Sequence, residues 1–235
     1  YEMCGRDWSS DVCSSDLTAP QDGGMNATFS GWRGSIMVAL NQLLCWDQYF
    51  AIGGALRHVE FQPTLGTMNC ATFPASVSTA PVQAMEISLY PAYNVLSKMI
   101  YGDVDMRQDI MCIGGTSQWP ATIFRGQDQW GDPFGYLLVD PIGGAIGAFA
   151  AADGISTGGQ SRTPICKLPN IEHTEQTFPL LFLDRKEVVD SGGAGQFRGG
   201  MSAESCFIPH GTRNITHDTL SSGDRKSTRL NSSHV

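Results

Sequence analysis

Residues 190–200 read Asp190-Ser191-Gly192-Gly193-Ala194-Gly195-Gln196-Phe197-Arg198-Gly199-Gly200, five glycines and one arginine in eleven positions. Glycine loses more conformational freedom on ordering than any other residue, so this density calls for turns through positive φ or for a close approach of other groups. Two kinds of chemistry fit. Backbone N–H groups of Ser191, Gly192, Gly193 and Gly195 can cradle an anion, with Arg198 supplying charge. Alternatively the block is a tight strand connection, in which Gly193 and Gly195 turn through positive φ and Arg198 pairs with Asp190 or another carboxylate. The backbone reading is the one we expect, with the anion reading second. A nucleotide motif is excluded. Gly193-x-Gly195-x-x-Arg198 lacks the third glycine of a dinucleotide fingerprint, and no Gly-Lys-Ser/Thr occurs anywhere in the sequence.

Other chemistry-bearing residues are sparser. Glu172-His173-x-Glu175 offers metal ligands or a general base, against the plainer reading of a solvated loop, which we favour. His58 lies in an alternating segment, where a packed or exposed role is expected. His210 and His217 stand near the C-terminal end, and no His-Glu-x-x-His pair is present. Cys45, Cys70, Cys112, Cys166 and Cys206 are widely spaced without a Cys-x-x-Cys, the pattern of thiols in a reducing compartment rather than of a disulfide scaffold. None has a base nearby in sequence. Gly143-Gly144-Ala145-Ile146-Gly147 is expected to serve close backbone packing.

The elements that must position these residues follow from periodicity. Residues 18–34 are polar and glycine-containing, a loop. Apolar residues Ile36, Ala39, Leu40, Leu43 and Leu44 recur at helical spacing and predict a helix over 35–46. Gly53-Gly54 breaks it, and residues 57–61 alternate like a strand. Residues 78–100 predict a second helix, kinked or broken at Pro91. Residues 101–135 are turn-rich, with short strands near 110–113 and 121–124, and residues 136–139 form a strand. A glycine-rich loop over 141–159, a strand over 178–188 and an alternating strand over 201–208 complete the pattern. The mixture is α+β, or α/β with long glycine-rich loops.

The two ends are related as nucleic acid rather than as protein. Residues 224–234, Asp-Arg-Lys-Ser-Thr-Arg-Leu-Asn-Ser-Ser-His, can be encoded by a DNA whose reverse complement encodes residues 7–16. Such an inverted repeat resembles a sequencing adapter read from both strands. Residues 1–17 and 223–235 are therefore expected to be adapter-derived, leaving 18–222 as the biological part. Without Arg6, Arg225, Lys226 and Arg229, and without Glu2, Asp7, Asp11, Asp16 and Asp224, the totals of 15 basic and 23 acidic residues become 11 and 18, a net charge of −7. That balance argues against nucleic-acid binding and against an anionic membrane surface. The longest apolar stretch, 142–152, is short and interrupted by glycine, so no membrane span is expected, and the cytoplasm is the expected location.

Residues 178–200 resemble the C-terminal signature of the hydantoinase B/oxoprolinase family. Phe178-Pro179-Leu180 stands for the family's aromatic-Pro-Leu segment. Asp190-Ser191-Gly192-Gly193-Ala194-Gly195 and Arg198-Gly199-Gly200 stand for the run that follows, two variable residues apart. Further matches are Met25-Asn26-Ala27-Thr28, Gly54-x-x-Arg57-x-Val59-Glu60, where His58 replaces the usual proline, and Pro74-Ala75-Ser76-Val77-Ser78. The resemblance covers 25–208 and corresponds to the family's C-terminal half, making the chain a fragment of a larger multi-domain subunit, related to acetone carboxylase alpha-type subunits.

The resemblance implies an ATP-dependent amidohydrolase acting on cyclic amides such as hydantoin or 5-oxoproline, together with a hydantoinase A-type subunit that carries ATP and Mg. The alternatives are a non-catalytic, subunit-docking half of such a complex, or part of an ATP-dependent ketone carboxylase. The family's metal-binding segments lie upstream, so a divalent metal is expected there. No catalytic residue is carried over to this chain, and it alone is expected to be inactive.

Overall fold

The computed structural model describes residues 20–48, 52–78, 81–107, 121–138, 140, 144–157, 159–160, 163–164 and 168–220. Both adapter-like ends, the strand expected near 110–113, Cys112, Gly143 and Cys166 lie outside the described residues. The fold is α+β, in two compact units. In its described part the first unit draws on 20–107, 147–154 and 193–199, and the second on 121–146, 155–192 and 200–220.

The first unit is helical. Helix α1, Phe29–Leu44, opens at Thr28, whose hydroxyl accepts from Gly31 N–H, and closes where Cys45 N–H donates to Asn41 C=O. The loop expected over 18–34 therefore ends six residues before the helix was expected to begin at 35. Two of its glycines, Gly31 and Gly34, sit inside the helix, and Thr28 supplies the cap. Trp32, Ile36, Met37, Ala39, Leu40 and Leu43 form its buried stripe. A helical turn α2, Ile52–Ala55, spans the glycine pair. The strand expected over 57–61 is replaced by a 3₁₀ turn, Leu56–His58, which leaves His58 exposed. Among the described residues no strand is paired with this segment.

Helix α3, Pro81–Gly102, runs through Pro91 without ending. A proline inside a helix removes one hydrogen bond, and tertiary packing offsets that loss. Leu89, Ala92, Tyr93, Leu96 and Ile100 of α3 pack with the α1 stripe. Trp32 stacks edge-on against Phe61 with ring centroids 5.8 Å apart, and Tyr93 donates its hydroxyl to Gln42. Asn26, 1% exposed, anchors the approach to α1 by donating to the carbonyls of Gln21, Gly23 and Ser76. The Asn-Ala segment singled out in sequence is thus a structural latch. Cys70 is fully buried in this unit, and burial pushes its thiol pKa up.

The second unit is built from antiparallel strands. Strands β1 (Ala121–Gln127), β2 (Pro133–Leu138) and β7 (Ile215–Leu220) form a sheet in the order β2-β1-β7. In the β1–β2 turn, Asp128 Oδ1 accepts from Trp130 N–H at 2.9 Å and Asp132 N–H at 2.8 Å, and Gly131 takes φ +94°. Strands β3 (Gly159–Gln160) and β4 (Thr163–Pro164) form a short pair. Strands β5 (Leu180–Glu187) and β6 (Ala203–Pro209) form a two-stranded sheet. Phe124, Leu138 and Leu180 are its buried apolar centre, with Phe134, Tyr136, Phe182, Phe207 and Ile215 packed on them. His217 stacks on Phe124 at 4.6 Å. Helix α4, Ile171–Thr177, replaces the solvated loop expected around Glu172 and His173. Asn170 caps it by accepting from His173 N–H. Among the described residues no helix is long and apolar enough to cross a membrane.

Candidate functional site

The glycine block connects β5 to β6. Val188 N–H donates to Ser202 C=O, extending the ladder by one step. Ser191 then acts as a latch. Its hydroxyl donates to Val188 C=O at 2.7 Å and accepts from Ser202 N–H at 2.8 Å. The chain turns at Asp190, which takes φ 57°. Gly193 and Gly195, expected there, do not enter the left-handed region. The difference has a physical basis, since aspartate is among the few non-glycine residues that tolerate this conformation.

Glycine is needed further along, for close approach. A Cβ on Gly200 would lie 2.1 Å from Ile155 C=O, and Gly200 N–H donates to Ile146 C=O at 3.0 Å. Gly199 N–H donates to Gly193 C=O at 2.9 Å, and a Cβ on Gly199 would sit 3.0 Å from Gly193 N. Arg198 is fixed through its main chain. Its N–H donates to Asp153 Oδ1 at 2.8 Å and its C=O accepts from Gly154 N–H at 2.7 Å. Its side chain is exposed, and among the described residues no carboxylate forms an ion pair with it. The expected side-chain pair of Arg198 with Asp190 or another carboxylate is therefore not formed among the described residues; the Asp153 carboxylate accepts from the Arg198 main-chain N–H instead. Ser191, Gly192, Gly193, Gly195 and Arg198 share one loop, but their visible partners are the chain's own backbone and Asp153. Residues 144–147 are buried, with Gly144 and Ile146 hydrogen-bonded to the 155–159 segment, as close backbone packing requires.

A second constellation escaped the sequence reading. Asp140, directly after β2, is 3% exposed. Its Oδ2 lies 2.5 Å from Arg185 Nη2 and accepts from Ser205 Oγ at 3.0 Å. Arg185 Nη1 donates to Pro169 C=O at 2.7 Å, and the guanidinium lies 5.0 Å over the Phe182 ring. Among the described residues Asp140 Oδ1 and Arg185 Nε and Nη2 have no partner of good hydrogen-bond geometry, so the two side chains meet as an ion pair through Oδ2 and Nη2. Tyr136 belongs to this group. Burial raises its phenol pKa; a Thr174 hydrogen bond opposes that, Asp140 adds to it and Arg185 reduces it.

Strict alternation hid this site. Phe182 and Arg185 are three apart and would face opposite sides of a regular strand. A register shift between Phe182 and Asp184 leaves Leu183 unpaired, so that Phe182 opposes Phe207 while Arg185 opposes Ser205. Residues 205 and 207 share a face, and the bulge therefore turns Arg185 inward.

What this arrangement can do chemically is limited. It holds an opposite-charge pair beside a half-buried phenol, with the Ser205 hydroxyl hydrogen-bonded to a carboxylate that Arg185 already pairs. Glu175 is committed to Phe182 N–H at 2.7 Å, and His173 is exposed. Among the described residues no three His, Cys, Asp or Glu gather to hold a metal ion. A resident divalent metal therefore does not fit the described part of this chain.

The hydantoinase B/oxoprolinase family model matches residues 10–221. The acetophenone carboxylase delta subunit of Aromatoleum aromaticum is 25% identical over 159 residues, covering 67% of this chain and 23% of that protein. A nucleotide-free structure of acetone carboxylase, from work on ATP-dependent acetone carboxylation, matches with a TM-score of 0.69 at 20% identity, covering 83% of this chain and 25% of the other. The ATP-dependent caprolactamase of Pseudomonas jessenii matches with a TM-score of 0.61 at 17% identity, covering 79% and 31%. The chain thus spans between a quarter and a third of the solved chains, and 23% of the curated relative.

Proposed function

The chain belongs to the hydantoinase B/oxoprolinase family, and from that premise we propose that it is part of an ATP-dependent enzyme that activates the carbonyl group of a small cyclic amide, with a hydantoinase A-type subunit as partner. The observation that carries this reading is the family match over residues 10–221. The likeness to an ATP-dependent caprolactamase supports the amide substrate class. An amide oxygen is a poor leaving group. Transfer of the terminal phosphoryl group of ATP to it, with release of ADP, converts it into a good one. Water then adds to the carbon, the ring C–N bond breaks to leave an acyl phosphate with a free amine, and a second water hydrolyses that to phosphate and an amino carboxylate.

Nucleotide and Mg are assigned to the partner, because this sequence has no Gly-Lys-Ser/Thr phosphate loop and no described metal-ligand group. The role proposed for this region is scaffolding, through the β5–β6 sheet, the Ser191 latch and the Asp140–Arg185 pair. The whole assembly is proposed to work in the cytoplasm. A second reading, ATP-dependent carboxylation of a ketone, rests on the likeness to the acetophenone and acetone carboxylases.

The test is ADP release by the full-length polypeptide together with its hydantoinase A-type subunit, supplied in turn with hydantoin, 5-oxoproline, caprolactam, and a ketone plus bicarbonate. Turnover with a cyclic amide is expected. Turnover only with ketone and bicarbonate establishes the second reading, and ADP release with none of them sinks both.

A further inference from the structure

The sequence holds two Asp-Gly pairs, Asp22-Gly23 and Asp153-Gly154. This dipeptide carries a reaction of its own. Glycine has no side chain to shield its nitrogen, and its backbone turns readily into the geometry that brings that nitrogen to the aspartate side chain. The nitrogen attacks the carboxyl carbon, a C–N bond forms, water leaves, and a cyclic succinimide closes. Water then adds back. Opening at the main-chain carbonyl breaks the original peptide bond and leaves the chain running through the side chain as isoaspartate, longer by a methylene and unchanged in mass. No oxidant, reductant or co-reactant other than water takes part. Attack requires a carboxyl group that is free to swing and an N–H that is not engaged.

Both aspartates are exposed, so solvent access does not separate the two pairs; hydrogen bonding does. Arg198 N–H donates to Asp153 Oδ1 at 2.8 Å, and Gly154 N–H donates to Arg198 C=O at 2.7 Å. The main chain of a single residue thus binds both reacting groups, the carboxylate and the attacking nitrogen. At Asp22-Gly23, Asn26 Nδ2 holds the carbonyls of Gln21 and Gly23. Among the described residues, neither the Asp22 carboxylate nor the Gly23 N–H has a hydrogen-bond partner. We propose that Asp22 is a site of spontaneous isomerisation to isoaspartate, and that the main chain of Arg198 guards Asp153 against the same reaction. Both hydrogen bonds of the guard must release before attack, and two bonds of ordinary net strength slow it by about tenfold or more. At Asp22 the product inserts a methylene between two carbonyls that Asn26 holds together, which loosens the latch leading into α1.

The test ages the full chain in native buffer near neutral pH and, in parallel, in concentrated guanidinium, and maps isoaspartate by electron-transfer fragmentation of its peptides. The expected native result is accumulation at Asp22 and accumulation slower by about tenfold or more at Asp153, with the two rates converging in denaturant. Native isomerisation of both at the denatured rate overturns the guard. Native protection of both overturns the Asp22 site. An Asp153 that stays slow in denaturant owes its protection to its sequence neighbours, which also overturns the guard. Arg198→Ala keeps both main-chain bonds and should leave Asp153 protected, whereas Arg198→Pro removes the N–H and should release it. Loss of protection in Arg198→Ala, or full protection in a folded Arg198→Pro, overturns the assignment to the main chain. If Arg198→Pro does not fold, the native and denatured rates of the wild type still decide.

Discussion

In the helical unit, Trp32 is 1% exposed and surrounded by buried aliphatic and aromatic neighbours from α1 and α3. In the β unit, Phe124 is equally buried, yet among the described residues its buried apolar cluster holds Leu138 and Leu180 alone. There the interior also admits Asp140 and Arg185. The first unit is held by apolar area and helix packing. The second is held by a thin aromatic layer and a paired charge. A small two-sheet arrangement has little apolar volume to offer, so each polar group taken inside must bring its own partner.

Trp32→Ala should give the largest effect, a loss of about 3–5 kcal/mol from the helical unit, because a large cavity opens where neighbours cannot collapse fully. Urea titration followed by far-UV circular dichroism measures it, and a loss below about 1 kcal/mol would show that the helical core is not the cohesive one. Arg185→Met should be nearly as severe, about 3–5 kcal/mol, because it strands the Asp140 carboxylate without its counter-charge. The double change Asp140→Leu with Arg185→Met should restore most of that loss. A single Arg185→Met that melts like wild type would remove the contrast between the two units.

Gly200→Ala should lose about 1–3 kcal/mol through the clash with Ile155 C=O, whereas Gly193→Ala, with open space around its Cβ position, should stay within about 0.5 kcal/mol. Equal effects would mean that the block works by conformation rather than by close approach. The smallest effect is alkaline. The folded pKa of Tyr136 is raised above the ordinary value of 10.0, chiefly by burial. Its contribution is therefore fully present below pH 10 and is lost as the pH climbs through the folded pKa, because the unfolded chain ionises first. Tyr136→Phe should flatten that part of the stability–pH curve for the β unit, read by chemical denaturation at stepped pH.

Much of the fold was legible because its signals are local. The α1 stripe from Ile36 onward, the existence of the α3 helix, though not its unbroken course through Pro91, and strands β5 and β6 all follow from period and composition. The start of α1 was missed because Gly31 and Gly34 lower helix propensity, while the Thr28 cap and the packing of Trp32 override it. The short α4 helix was missed because its polar sequence carries no stripe; the Asn170 cap was its available signal. The Asp140–Arg185 pair was illegible for another reason. It depends on a bulge that reverses facing at Leu183, and on a partner 45 residues away. Arg185 is one of four successive charged residues, Asp184 to Glu187, and nothing in that run marks it as the one turned inward. In the glycine block the density of glycine was readable, but which of them needs to be glycine depends on Ile155, which sequence does not bring near.

The sulfur atoms of Cys70 and Cys206 give each unit a chemical clock. Cys70 is enclosed in the helical unit with its thiol held protonated, while Cys206 stands exposed on β6. An alkylating reagent therefore consumes Cys206 at once and must wait at Cys70 for its buried surroundings to open. The ratio of the two rates, read by mass spectrometry on one sample, converts directly into how often that buried site opens under conditions in which nothing has melted.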